Sequence, residues 1–122
     1  MTPAEHECFK ALTAAVGEEF QIFAQVHLAT IVDHKIPGQD WRAALSHIDR
    51  KSVDFVLCDK NSLATKLAIE LDDRTHEQSD RVERDGIVEG ILEQAGVPLL
   101  RLGNNGSLDP VDLRARIHSA LQ

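Results

Sequence analysis

Two short apolar runs, separated by a turn-rich segment, constrain the fold of this chain more than any other feature. The runs are Val53–Cys58 and Leu67–Asp73, and both contain the β-branched and aromatic residues that are typical of strands. Residues 59–66 between them are rich in turn-forming residues and short enough for a hairpin. The sequence therefore predicts two neighbouring antiparallel strands.

Three acidic residues of this hairpin are predicted to lie on one face. Side chains alternate across a strand, so Glu70 and Asp72 leave the same face while Leu71 faces a core. Asp54 lies opposite Glu70 or opposite Asp72, depending on where the turn centres. Either register sets like charges about 5 Å apart at their Cβ atoms. A divalent cation with oxygen ligands would stabilise such a cluster; a solvated sheet face that carries three acids is the alternative.

Size and charge limit the class of protein. A chain of 122 residues with 43% hydrophobic content is expected to form one globular domain over residues 1–122. A net charge of −7 argues against a nucleic-acid coat protein but not against an enzyme that acts on nucleic acid. Cys8 and Cys58 lack zinc-ligand spacing and are expected to be buried free thiols. Without a secretory signal or a long apolar span, a cytoplasmic protein with no membrane partner is expected.

Capping signals predict helices on both sides of these strands. The first helix begins at a capping box of Thr2 and Glu5 and ends at Gly17. A second long helix ends at Gly96, and the last helix begins at Asp109. Glu5 could also reach into a site at the end of the sheet, although its capping role explains it more simply.

The other elements complete an α/β pattern. Residues 20–32 alternate as a strand covered on one face, and Asp40 is expected to begin a short helix that contains Trp41. Residues 97–102 form a further strand, which follows a helix of crossover length and is therefore predicted to run parallel to an earlier strand. The prediction is a mixed central sheet flanked by helices.

The helix predicted over residues 77–95 carries charges on its core-facing arc. The arc that contains Val88 also contains Arg81, Arg84 and Asp85 nearer the N-terminus. Charges on a buried arc need partners, and carboxylates at the edge of the sheet would pair with the arginines. Internal pairing of Arg81 with Asp85 is the alternative.

The ordered set of these motifs resembles the PD-(D/E)XK nuclease superfamily. The resemblance covers nearly the whole chain and is strongest over residues 53–102. The motifs that carry it are Val53-Asp54-Phe55, Ile69-Glu70-Leu71-Asp72, His76, Arg81-x-x-Arg84-Asp85 and Gly96-Val97-Pro98-Leu99-Leu100-Arg101. The pattern looks like the very-short-patch-repair endonuclease branch, and like an uncharacterised bacterial domain sometimes fused to topoisomerase-type zinc fingers. The resemblance implies a restriction-endonuclease-like α-β-β-β-α-β core.

The resemblance also implies residue roles. Asp54 matches the first metal-binding aspartate of the family, and Glu70 matches the acidic residue of its (D/E)XK strand. The lysine of that motif would fall at Asp72, where this chain departs from the family pattern. Because relatives in the repair-endonuclease branch use histidine near the metal, His76 is the best candidate for the missing group.

The implied function is metal-dependent hydrolysis of nucleic acid, as a DNA endonuclease. Mg²⁺ or Mn²⁺ would be held by Asp54, Glu70 and Asp72, with Arg81 or Arg84 as a further source of positive charge. An enzyme that cuts both strands is expected to be a homodimer. The alternative, favoured by the missing lysine and the negative net charge, is a weak or inactive nuclease-like module that binds nucleic acid or a protein partner. The chain has no Gly-rich phosphate loop or nucleophile elbow that would support a small-molecule enzyme.

Overall fold

The described part of the chain forms a four-stranded mixed sheet with helices on both faces. A computed structural model describes residues 2–28, 30–31, 52–72, 88–103 and 108–122, and of Asp72 it describes the backbone. In chain order the elements are α1 (Pro3–Val16), β1 (Phe20–His27), β2 (Ser52–Asp59), β3 (Thr65–Asp72), α2 (residues 88–94), β4 (Leu99–Gly103) and α3 (Pro110–Ala120). The predicted α/β class is confirmed.

The strands lie in the order β1-β2-β3-β4. The first two pairs are antiparallel and β3 pairs with β4 in parallel, so the predicted hairpin and the predicted parallel return are both confirmed. Phe55 stands opposite Ile69 in the hairpin. Continuing this register by one residue sets Asp54 opposite Glu70, which is the first of the two alternatives that the sequence left open.

Each face of the sheet packs against its own helices. The α1 face, covered by α1 and α3, buries mainly Cys8, Leu12, Val16, Ile22, Phe55, Leu57, Leu67, Ile69, Leu102, Leu113 and Ile117. The α2 face buries Leu28, Ile31, Val53, Val56, Cys58, Ala68, Val88, Ile91, Leu92, Ala95 and Val97. The sheet is therefore a central layer between two aliphatic cores, which explains why the residues of β2 are apolar on both sides.

The predicted helix ends that fall in the described residues are confirmed. Thr2 and Glu5 form the capping box of α1: the Thr2 N–H donates to Glu5 Oε1 at 3.0 Å, and the Glu5 N–H donates to Thr2 Oγ1 at 3.1 Å. Gly17 closes α1 with a bond from its N–H to the Thr13 carbonyl. Gly96 follows α2 at φ +75°, a conformation that favours glycine.

The strand predicted over residues 20–32 is shorter in the structure. β1 ends at His27, and residues 28, 30 and 31 are helical. Leu28 and Ile31 pack on the α2 face as helical residues. The alternation of apolar residues continues past the end of β1 into residues that are apolar because they pack as part of a helix. The predicted end of the strand is therefore too late.

Two predicted segments lie outside the described residues: the helix with Trp41, and the part of the second long helix that precedes residue 88. None of the helices in the described ranges combines the length and the apolar character that a membrane span requires.

Candidate functional site around Asp54 and Glu70

The carboxylate of Asp54 lies between β2 and β3. Asp54 is half-buried on β2, and its Oδ2 accepts a hydrogen bond of 2.7 Å from the backbone N–H of Leu71 on β3. The backbone pairing of the two strands reaches as far as Phe55 opposite Ile69. One residue further on, the Asp54 side chain supplies the acceptor, so the carboxylate is fixed at what we call the β2–β3 seam.

The bond to Leu71 also brings Asp54 close to Glu70. The amide nitrogen of Leu71 is joined through the peptide bond to Glu70, and this nitrogen lies 2.7 Å from Asp54 Oδ2. Standard peptide geometry then sets Asp54 Oδ2 at most about 5 Å from the Cα atom of Glu70. The Asp54 carboxylate therefore lies beside the backbone of Glu70, and both residues are half-buried.

The regular alternation of β2 ends at Asp54. Phe55 packs on the α1 face, whereas Val53, two residues away, packs on the α2 face. Strict alternation would have set both side chains on one face. The prediction that Asp54 lies on one face with Glu70 and Asp72 relied on that alternation, which does not hold at Asp54: the carboxylate turns into the β2–β3 seam.

Helix α1 contacts this region through Cys8. The Cys8 side chain is buried on the α1 face. Burial raises the pKa of the Cys8 thiol to about 11, and the negative charge of the Asp54 carboxylate adds to this shift. The two groups are therefore electrostatically coupled, and Cys8 is a neutral thiol at neutral pH. As predicted, Cys8 and Cys58 are both buried, and neither forms a disulfide.

Glu70 and Arg101 are neighbours on adjacent strands. Glu70 pairs with Arg101 in the parallel β3–β4 register, where strands lie about 4.8 Å apart. The residues on either side of each, such as Leu71 and Leu102, pack on the α1 face, so Glu70 and Arg101 share the α2 face. Arg101 Nη2 lies 2.8 Å from Glu89 Oε1 of α2. The Arg101 side chain thus leaves the sheet on the same face as Glu70, and its guanidinium is held by Glu89 of α2.

Gln25 and Glu5 lie next to Asp54 on the other side. Continuing the β1–β2 register sets Gln25 opposite Asp54. Gln25 Nε2 donates to Glu5 Oε2, while Glu5 Oε1 accepts the Thr2 N–H. Glu5 therefore both caps α1, as predicted, and reaches the strand beside Asp54.

Two residues of this region were given no site role from the sequence. Gln25 read as one polar residue of an alternating strand, and Arg101 read as the end of a strand motif. Each of them is part of this region because of the residue that stands opposite it in the neighbouring strand. A single sequence does not reveal that register.

The remaining predicted site residues are only partly described. The Asp72 backbone pairs with Gly103. His76, Arg81 and Arg84 lie outside the described residues. Within the described ranges, no three His, Cys, Asp or Glu side chains form a group that could hold a metal ion. The cage of three acids therefore stays a prediction.

The donor chemistry around the β2–β3 seam fits a hard divalent cation. Asp54 and Glu70 offer carboxylate oxygens, the ligands that Mg²⁺ and Mn²⁺ prefer. The neighbouring thiol of Cys8 is protonated at neutral pH, so it does not add the soft thiolate that a zinc site would use.

The sequence model of DUF2726, described as a protein of unknown function, matches residues 1–121. The chain belongs to the DUF2726 family. No curated protein and no solved structure matches the chain significantly. The family match spans both helical faces and the whole sheet, so Asp54, Glu70 and Arg101 all lie within the DUF2726 region.

Proposed function

We propose that this protein hydrolyses phosphodiester bonds of nucleic acid, as a Mg²⁺- or Mn²⁺-dependent DNA endonuclease. The observation that supports this best is the position of the Asp54 carboxylate at the β2–β3 seam, beside the backbone of Glu70. These are the two residues to which the PD-(D/E)XK resemblance assigns metal binding. The order of the described strands and helices is compatible with that resemblance.

The residues of the site have distinct tasks in this proposal. Asp54 and Glu70 would hold the ion, and the Leu71 N–H keeps the Asp54 carboxylate in one orientation before the ion arrives. A bound divalent ion would lower the pKa of a water molecule and polarise the scissile phosphate. Arg101 adds positive charge on the face of Glu70, where a phosphate group would carry negative charge. His76, Arg81 and Arg84 remain proposed members of the site.

A second candidate function is binding without cleavage. Asp72 occupies the position at which the resemblance expects a lysine, so the group that would steady the developing charge has to come from elsewhere. If neither Arg101 nor His76 supplies it, the protein would bind nucleic acid or a protein partner and would not cut.

The test compares wild type with Asp54→Asn, Glu70→Gln and a control, Glu93→Gln. Asparagine keeps an oxygen that can accept the Leu71 N–H, so this variant removes charge while preserving the fold. Glu93 is an exposed acid on α2 and matches the charge change away from the seam. Three measurements are made: Mn²⁺ binding by calorimetry, DNA binding by gel shift, and cleavage of plasmid and single-stranded DNA with Mg²⁺ or Mn²⁺.

We expect the wild type and Glu93→Gln to bind Mn²⁺ and to nick DNA. In both site variants the cleavage rate should fall by about 100-fold or more, the usual cost of removing one electrostatic contact to a transition state. Mn²⁺ binding that depends on Asp54, together with DNA binding but no cleavage, would favour the second candidate. Absence of both Mn²⁺ binding and nicking in the wild type would overturn the endonuclease proposal.

A further inference from the structure

Strand β1 changes faces at Gln25. Ala24 packs with the α1 face, but Val26, two residues later, packs with the α2 face. In a regular strand these two side chains would leave the same side. The change is absorbed by Gln25, whose φ of +54° lies in the left-handed region.

Strand β2 changes faces at the same level. Phe55 and Val53 flank Asp54 and pack on opposite faces. The β1–β2 pairs on either side of this level keep one register, so no residue is inserted and the feature is not a β-bulge. Gln25 and Asp54 stand opposite each other at the switch, which is therefore a single feature shared by both strands.

The conformation of Gln25 needs an explanation, because a left-handed backbone is unfavourable for any residue with a side chain. Such a residue persists when its surroundings over-determine it. Here the surroundings include helix α1: Gln25 Nε2 donates to Glu5 Oε2, and Glu5 Oε1 accepts the Thr2 N–H. The side chain thus ties the switch in β1 to the first turn of a helix that is itself packed on the sheet.

The switch changes the direction in which the Asp54 side chain projects. Without it, the Asp54 side chain would project over the α2 face with Val56, as alternation predicts. With it, Asp54 Oδ2 accepts the Leu71 N–H at 2.7 Å. The orientation of a carboxylate on β2 therefore depends on a polar contact made from β1.

We propose that Gln25 is a positioning residue for Asp54: its amide, bound to Glu5, holds the left-handed switch that turns the Asp54 carboxylate into the β2–β3 seam. The orientation of Asp54 follows from the fold alone. The consequence for metal binding rests on the function proposed above, and the two are measured separately.

The experiment uses Gln25→Ala, Gln25→Gly and the control Gln21→Ala in the full chain. Both changes at Gln25 delete the bond to Glu5, but glycine accepts a left-handed φ whereas alanine resists it. Gln21 is an exposed glutamine on the same strand in a regular pair with Cys58. The first readout, without metal, is hydrogen exchange of the Leu71 amide relative to the amide of buried Leu57, which corrects for changes in global stability. The second readout is the affinity for Mn²⁺.

In Gln25→Ala we expect the Leu71 amide to exchange about ten-fold faster relative to the Leu57 amide, because the hydrogen bond from Leu71 to the charged Asp54 carboxylate is weakened. Gln25→Gly should show a smaller increase, and Gln21→Ala none. The affinity for Mn²⁺ should fall in the same order. Unchanged Leu71 exchange in both Gln25 variants would overturn the positioning role. If the wild type binds no Mn²⁺, the proposed function fails, and the exchange measurement still decides the role of Gln25.

Discussion

Cys8 is a buried group whose thiol is held in its neutral form mainly by burial. The side chain has no exposed surface, and burial raises the pKa of its thiol from 9.0 to about 11, with a further contribution from Asp54. A raised thiol pKa means that the folded state favours the neutral form. The stabilisation from this preference is fully present below pH 9 and is lost as the pH rises from 9 to 11.

We therefore expect the free energy of unfolding of the wild type to fall between pH 9 and 11, by up to about 2–3 kcal/mol from this group. Cys8→Ala removes the titrating thiol and should show a shallower fall over the same range. Urea unfolding of both proteins from pH 8 upwards measures the difference in slope. Parallel curves would show that the thiol titrates alike in the folded and unfolded states.

The turn between β2 and β3 contains a carboxylate that accepts two hydrogen bonds and a residue whose backbone is strained. Asp59 Oδ1 accepts the N–H groups of Asn61 and Ser62, each at 2.8 Å. Both bonds lower the pKa of the Asp59 carboxyl, and the bond from Ser62 has the larger effect. Leu63 follows at φ +61° with 55% of its surface exposed. Its left-handed backbone resembles that of Gln25, but Leu63 has no polar side chain to hold it.

Leu63→Gly should stabilise the protein by about 0.5–1 kcal/mol, because the relief of left-handed strain exceeds the added freedom of the unfolded chain. Lys60→Gly is the matched control in the same turn, since Lys60 is exposed and its φ is not positive. In Lys60→Gly no relief of strain offsets the added freedom of the unfolded chain, so the free energy of unfolding should fall. Chemical denaturation of both variants gives the comparison; changes of the same sign would contradict the assignment of strain to Leu63.

Across the whole molecule, the last helix closes the α1 face of the sheet. α3 packs against α1 and β4, and its buried residues are Leu113 and Ile117. Glu19, just after α1, binds Arg114 at 2.9 Å and His118 at 2.8 Å on α3. These side-chain pairs are partly exposed and contribute little, so the attachment of α3 depends on its apolar side chains.

Leu113→Ala should therefore lower the free energy of unfolding by about 2–5 kcal/mol, the range for a large aliphatic side chain removed from a core. Val111→Ala on the same helix is the control, because Val111 is 75% exposed, and it should change stability by less than about 0.5 kcal/mol. Both values come from urea denaturation at neutral pH. Similar losses in the two variants would mean that α3 is held by something other than the α1-face core.

Local patterns in the sequence determined much of this fold. The capping box of Thr2 and Glu5, and the glycines at 17 and 96, mark helix ends because caps depend on residues within one turn. The β2–β3 hairpin follows from two apolar runs and a short turn. The sequence also singled out Asp54 and Glu70 as acids of neighbouring strands, because their spacing from the turn is a local property.

Only the tertiary structure decided how those acids are arranged. The register of the hairpin, the break in alternation at Asp54 and the contact between Gln25 and Glu5 all join residues that are distant in sequence. The position of Arg101 beside Glu70 is set by how β4 returns alongside β3. A strand's period of two tells which residues share a face only while the strand stays regular. The switch at Gln25 and Asp54 depends on packing against helices of both faces, which no local pattern contains.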